Sequence, residues 1–313
     1  MAVWCPVTVT RAPQGVSRPT GNDAVLMSIA LVAVSTSGPL MAATAAPALA
    51  IAFWRNALGG AVMVPVALVT ARRELAALGR RERGLALLAG VFLALHFSTW
   101  IPALSYTSVG SATALVATQP VWAAVLARLQ GFPVGRRVWA GIAVAVAGAV
   151  LLTGADLQVS GRAPTGDLLA VAGGAFAALY MSTGSEVRRS VSTTTYTAIC
   201  YSTAAVLLLV TCVVGRQSLS GYDGSTWLKL LAITAGAQLL GHSLFNVVLR
   251  SISPTVVSLS ILLEIPGAAL IAAIYLGQRP PLLALPAAAL LVAGLALVIH
   301  DAGRETEPSL PVE

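Results

Sequence analysis

Val146-Ala147-Gly148-Ala149-Val150-Leu151-Leu152 is answered, about 145 residues further along the chain, by Val292-Ala293-Gly294-Leu295-Ala296-Leu297-Val298. Reading back from these two strings, further matches fall in the same order. Glu264-Ile265-Pro266 corresponds to Gln119-Pro120, and Arg250-Ser251-Ile252-Ser253-Pro254-Thr255 to Tyr106-Thr107-Ser108-Val109-Gly110-Ser111. Asp167 opens one apolar run as Asp23 opens another. A single match means little in a chain so rich in Ala, Leu and Val. Four in one order indicate a duplicated unit.

The unit is made of membrane spans. Of the 313 residues, 57% are hydrophobic and 10% charged, with a mean hydropathy of +0.84. A soluble domain carries about 25% charged residues, so this chain is too apolar to clothe itself for water. Runs long enough to cross about 30 Å of hydrocarbon lie near 24–44, 49–70, 84–105, 108–127, 138–154, 167–185, 195–214, 227–249, 254–276 and 281–299. They are continuous rather than alternating, which argues for helices over barrel strands. Ala48-Leu49-Ala50 imitates a signal-peptidase site, but the repeat needs 24–44 as its first helix, and that run is expected to be retained.

Loop charge sets the orientation. With the N-terminus inside, the inner segments carry 14 of the 19 Lys and Arg residues and the outer segments 4, Arg55 being the one left within a span. Both termini are therefore expected in the cytoplasm. Five spans per half is an odd number, so the second half enters from the opposite face. The expected fold is an all-α integral membrane protein of the cell membrane, with ten transmembrane helices arranged as two inverted five-helix repeats around a central cavity. Its parts are a disordered cytoplasmic tail (1–22), a first repeat (23–154), a linker (155–166), a second repeat (167–301) and a cytoplasmic tail (302–313).

The formal charge of +7 does not imply a nucleic-acid partner, because the basic residues are scattered between apolar runs instead of clustered on one face. Cys200 and Cys212 would lie about 18 Å apart on one helix, too far to bridge. No metal spacing, phosphate loop or Asp-rich motif is present, so neither a cofactor nor a catalytic residue is expected.

Polar side chains inside the spans are the candidates for function, since a charge at mid-bilayer costs about 2.5–3.5 kcal/mol or more. Glu264 lies near mid-depth of the ninth span. It reads either as a proton-coupling or counter-ion residue, or as a protonated carboxyl that packs against a neighbour. Pro266 and Pro120 break the helix ladder at corresponding places in the two halves, freeing the Leu262 and Val116 carbonyls. The alternative is a simple packing kink. Gln119 is the pseudo-symmetric counterpart of Glu264, and Trp122 follows it. Thr234, Gln238, His242 and Asn246 recur every four residues and share a face that drifts about 40° per step in an α-helix. Lipid cannot satisfy them, so they should face a cavity or other helices. His96 and Trp100 sit at comparable depth in the third span. Arg55 lies about 9 Å inside the second, either snorkelling outward or offering a fixed charge to the cavity. Ala140-Gly141 and Ala147-Gly148 are read as close-packing sites.

The stretch Ala103-Leu104-Ser105-Tyr106-Thr107-Ser108-Val109-Gly110-Ser111-Ala112, followed by Gln119-Pro120-Val121-Trp122-Ala123-Ala124, resembles the signature of the EamA-like permeases of the drug/metabolite transporter superfamily. Phe53-Trp54-Arg55-Asn56-Ala57 resembles the Arg-containing start of that family's second helix. The resemblance covers residues 23–301 and implies ten helices about a central cavity serving export or uptake of small metabolites. Two departures stand out. Leu276-Gly277-Gln278 replaces a Gly-Glu helix end, and Ile265 separates the usual Glu-Pro pair. The expected function is a secondary transporter or facilitator of a small metabolite, such as an amino acid or similar polar compound, with proton coupling through Glu264 left open. Lipid or lipid-linked sugar flipping, and more remotely a membrane-embedded transferase, are the alternatives. The expected partners are the substrate and the lipid bilayer, with the protein a monomer or homodimer.

Overall fold

The computed structural model describes residues 19–103, 105–106, 115–116, 118–153, 163–276 and 283–302, and every regular element among them is helical. The first half comprises α1 (Gly21–Ser35), the short α2 (Ser37–Ala42), α3 (Ala48–Thr70), a surface turn α4 (Arg72–Ala77), α5 (Arg80–Ala103), α6 (Gln119–Leu129) and α7 (Arg136–Thr153). The second comprises α8 (Ala163–Val187), α9 (Thr193–Val214), α10 (Gly224–Ile233), a π-helical stretch (Thr234–His242), α11 (Ser243–Val248), α12 (Pro254–Ile261), α13 (Glu264–Leu276) and α14 (Ala284–Ala302). The signature residues 107–112, most of the linker, Gly277-Gln278 and the ends of both tails lie outside the described residues.

Among the described residues, six stretches are long and apolar enough to cross a membrane: Gly21–Met41, Ala48–Thr70, Arg80–Ala103, Pro164–Val187, Thr193–Val214 and Gly224–Val248. Residues 254–276, expected as one span, form two helices that meet at Leu262-Leu263. The first stretch is bent at Thr36, because Pro39 supplies no N–H and the Ser35 and Thr36 hydroxyls turn back onto the Leu31 and Ala33 carbonyls, each at 2.7 Å.

Helix starts follow side-chain chemistry. Thr20 and Asp23 form a capping box, the Thr20 Oγ1 accepting from Asp23 N (3.2 Å) and the Asp23 carboxylate from Thr20 N (3.0 Å). Ser192, Asp223 and Ser253 cap α9, α10 and α12 by accepting from the backbone N–H three residues on.

The packing is symmetric on exchange of the halves. Helix α3 packs on α9 and α7 on α14, each on its own counterpart, and α6 meets α12 of the other repeat. Helix α1 lies against the π-stretch and α13, as α8 lies against α5 and α6. The α7–α14 pair is tight because both sides carry glycine. A Cβ on Gly294 would stand 2.5 Å from the Gly141 carbonyl, and one on Gly141 would stand 2.7 Å from the Gly294 carbonyl. Inside, Leu93, Phe97, Ile142, Leu208, Leu230, Ile233 and the tyrosines 180, 196 and 201 are buried, while Val206, Val210, Val213 and Val214 of α9 face outward. An apolar outer face around a partly polar interior is the inverse of a soluble bundle and suits lipid.

Candidate functional site

Arg55 sits at the centre of a polar group formed by both halves. It is 1% exposed on α3, with its guanidinium carbon 4.3 Å from the centre of the Phe97 ring on α5. Its Nε donates to Gln238 Oε1 at 3.0 Å, Gln238 Nε2 donates to Asn56 Oδ1 at 3.1 Å, and Asn56 Nδ2 returns to the Ala52 carbonyl at 2.9 Å. This chain of bonds holds the Arg55 side chain inside the bundle.

Gln238 lies in the π-stretch, where the backbone is wider than an α-helix. Tyr201 OH donates to the Gln238 carbonyl at 3.3 Å, and the Ser243 hydroxyl approaches the same oxygen at 3.5 Å. Side chains competing for that carbonyl loosen the i→i+4 ladder locally. The four-residue series therefore does not drift as it would in an α-helix. Thr234, Gln238 and Asn246 are all buried, and His242 is half-buried against the Phe97 ring at a centroid distance of 5.8 Å. Tyr180 OH donates to Asn246 Oδ1 at 2.9 Å. His96 is 2.9 Å from the Gly173 carbonyl through Nδ1 and stacks on Trp100, with ring planes 9° apart.

Glu264 begins α13, half-buried, and no ion pair under 4 Å joins it to Arg55 among the described residues. Gln119 and Trp122 stand apart from the Arg55 group. Gln119 Nε2 donates to Ser258 Oγ at 2.9 Å, tying α6 to α12 of the other repeat, and Trp122 Nε1 reaches Thr118 Oγ1 at 3.3 Å. A crevice of about 200 Å³ opens between the α6–α7 connection and the ends of α8 and α11. It reaches Ala123, one turn beyond Gln119, and Thr255, one turn before Ser258. The proline breaks also differ in detail from expectation. Pro120 and Pro266 lie in the first turns of α6 and α13, where a missing N–H costs nothing. The Leu262 carbonyl is not freed; it accepts from Ile265 N at 3.2 Å. The interruptions fall just before each proline, at Thr118 and at Leu262-Leu263. Among the described residues no His, Cys, Asp or Glu cluster could hold a metal.

A model of the EamA-like transporter family matches residues 23–154 and, a second time, residues 164–300. The chain belongs to the EamA-like transporter family. A solved structure titled only as the crystal structure of a protein has the same fold, with a TM-score of 0.75 at 20% identity over 91% of this chain and 99% of its own. No curated protein matches significantly. As an EamA-like transporter, the chain is a multi-pass membrane protein whose two family repeats supply the two sides of the Arg55 group. Arg55, His96, Phe97 and Trp100 come from the first repeat, and Tyr180, Gln238, His242 and Asn246 from the second.

Several partners in this EamA-like site escape a reading of the sequence. Tyr180, Tyr201 and Phe97 are single aromatic residues within apolar runs and carry no periodic signal. Ser258 is one of many serines. Asn56 follows Arg55 directly and could have been singled out on the same polarity argument. Beyond the spans, a clasp joins the repeats on the face that carries α4. Glu74 accepts from Ser192 N (2.6 Å), from the Ser192 hydroxyl and from Thr195 Oγ1 (2.7 Å), and Arg81 pairs with Glu186 at 2.8 Å. Burial pushes the Glu74 carboxyl up, but these hydrogen bonds and the Arg188 charge outweigh it and hold the group below its usual value. Arg188 is drawn below its usual value by burial and by neighbouring Arg250, and donates to the Asn246 and Val191 carbonyls.

Proposed function

We propose that the protein is a secondary carrier or facilitator that moves a small polar metabolite across the cell membrane by alternating access, and that the Arg55 group is where the substrate rests. The observation that carries this reading is the placement of one buried polar group on two interlocked repeats. Arg55 is held by Gln238, a residue of the opposite repeat. Any rocking of one repeat against the other must therefore remake the site, which is what an alternating carrier requires.

The remaining parts take roles within this scheme. The spans number ten when α6, α7, α12–α13 and α14 are added to the six longest stretches, with both termini cytoplasmic. The crevice ending near Gln119 and Ser258 is the inner approach, and their hydrogen bond is the barrier between it and the Arg55 group. Glu264, the acidic residue at the head of α13, is the proton-coupling residue. The working unit is a monomer or homodimer. Counterflow in proteoliposomes tests the reading, with candidates taken from metabolites retained by cells lacking the protein. Accumulation of labelled compound driven by unlabelled compound inside supports a carrier. Leakage with no counterflow for any retained metabolite rejects it.

A further inference from the structure

The Arg55 group contains more donors than it uses. Arg55 Nη2, Asn246 Nδ2 and Trp100 Nε1 are shut off from solvent with no hydrogen-bond partner, as is His242 Nδ1. The first three are obligate N–H donors, and the imidazole nitrogen donates in one of its tautomers. The acceptors are engaged. Gln238 Oε1 takes Arg55, Asn56 Oδ1 takes Gln238, and Asn246 Oδ1 takes Tyr180. The idle buried nitrogens are thus mainly donors, and such a group is complementary to a ligand that brings acceptors.

Charge narrows the class further. Arg55 is always protonated, it is buried, and no carboxylate pairs with it directly among the described residues. Its Nε is committed to Gln238 and its face to Phe97, which leaves Nη2 as the unpartnered, enclosed end of a fixed fork. His242 lies against the same Phe97 ring and brings a second unpartnered nitrogen to the group. The geometry points to a carboxylate seat: the transported compound carries a carboxylate that Arg55 Nη2 binds, with His242 as a supporting donor. Arg55 is thus a binding residue for the anionic group. This rests on the carrier reading for what happens after binding, but not for the binding itself.

The test uses the purified full chain in lipid nanodiscs and a panel of mono- and dicarboxylic acids, amino acids included, each beside its own amide. Ligands that bind the folded protein raise its melting temperature with concentration. The expected result is that at least one acid stabilises the wild type and its amide does so at least about tenfold more weakly, the loss typical of a charge-assisted hydrogen bond. Arg55→Gln should abolish the preference for acid over amide, and Arg55→Lys should keep part of it. The acid–amide comparison on the wild type stands even where Arg55→Gln fails to fold. Equal binding of acids and amides, binding of neither, or stabilisation by amines with no carboxyl would each overturn the seat. Flux separates the two readings. An acid that binds without counterflow leaves the seat and removes the carrier, whereas counterflow of an uncharged compound untouched by Arg55→Gln leaves the carrier and removes the seat.

Discussion

Replacing Gln238 with leucine removes the one side chain that holds Arg55 and Asn56 together. Two bonds go at once. The Arg55 Nε bond at 3.0 Å has a charged donor, a class worth about 1.5–3 kcal/mol, and the loss of Gln238 Nε2 strands Asn56 Oδ1 in a dry interior at about 1–3 kcal/mol. Leucine fills a similar volume, so packing returns only a little. The net destabilisation is about 3–5 kcal/mol, and at about 2–4 °C per kcal/mol the melting temperature should fall on the order of 10 °C. Gln238→Glu separates the two losses. It keeps an acceptor for Arg55, and it satisfies Asn56 only if that amide rotates and gives up the Ala52 carbonyl. The glutamate variant should therefore melt between wild type and leucine variant, and it should refuse carboxylates because Arg55 is already paired. Thermal melts of the three proteins in nanodiscs, followed by size-exclusion peak height, give the order directly. A leucine variant that melts with the wild type, or a glutamate variant that melts below the leucine one, would refute the view that Gln238 is what fixes Arg55.

Gly294→Leu should abolish the monodisperse peak, since even its Cβ would stand 2.5 Å from the Gly141 carbonyl and 2.7 Å from the Ala145 nitrogen, whereas Gly84→Ala, where nothing lies within 4 Å, should behave as wild type. Because the folded-state value of Glu74 lies below the ordinary 4.5, its contribution to stability is fully present above about pH 4.5 and fades as pH falls through the lower folded value. Wild type should therefore melt above Glu74→Gln at neutral pH, with the gap closing in acid; a gap that widens in acid would be the wrong sign. Glu264→Gln should fold normally and abolish the pH dependence of net transport while substrate exchange survives, and an unaltered pH profile would reject the coupling role.

The sequence is most legible where chemistry is local or repeated. The two strings ending in Leu152 and Val298 located the duplication, and the family match falls on the same two blocks. Gly141 was read as a close-packing position, and its carbonyl touches the space above Gly294 because bare backbones were required on both helices. Polarity in apolar runs also pointed to Arg55, Gln238, His242 and Asn246, because a buried donor must find a partner whatever the fold. The partner itself is the part that stayed hidden. Gln119 and Glu264 are sequence counterparts, yet the Gln119 side chain bonds Ser258 while the Glu264 backbone carbonyl meets Ser35 of α1, since interlocked halves present each counterpart to a different neighbour.

The π-stretch from Thr234 to His242 shows the same limit at the level of the backbone. Nothing in Thr-Ala-Gly-Ala-Gln-Leu-Leu-Gly-His distinguishes it from an ordinary α-helix, and a step of four residues was projected with an α-helical drift. The wider turn is set from outside, by the Tyr201 and Ser243 hydroxyls at the Gln238 carbonyl and by Arg55 and Asn56 at the Gln238 side chain. The hydroxyl contacts come from α9 and α11 of the same repeat, whereas those of Arg55 and Asn56 come from α3 of the other and exist only once both repeats have closed on each other. The irregular backbone and the fixed charge are thus one arrangement, held by partners that the sequence alone does not bring together.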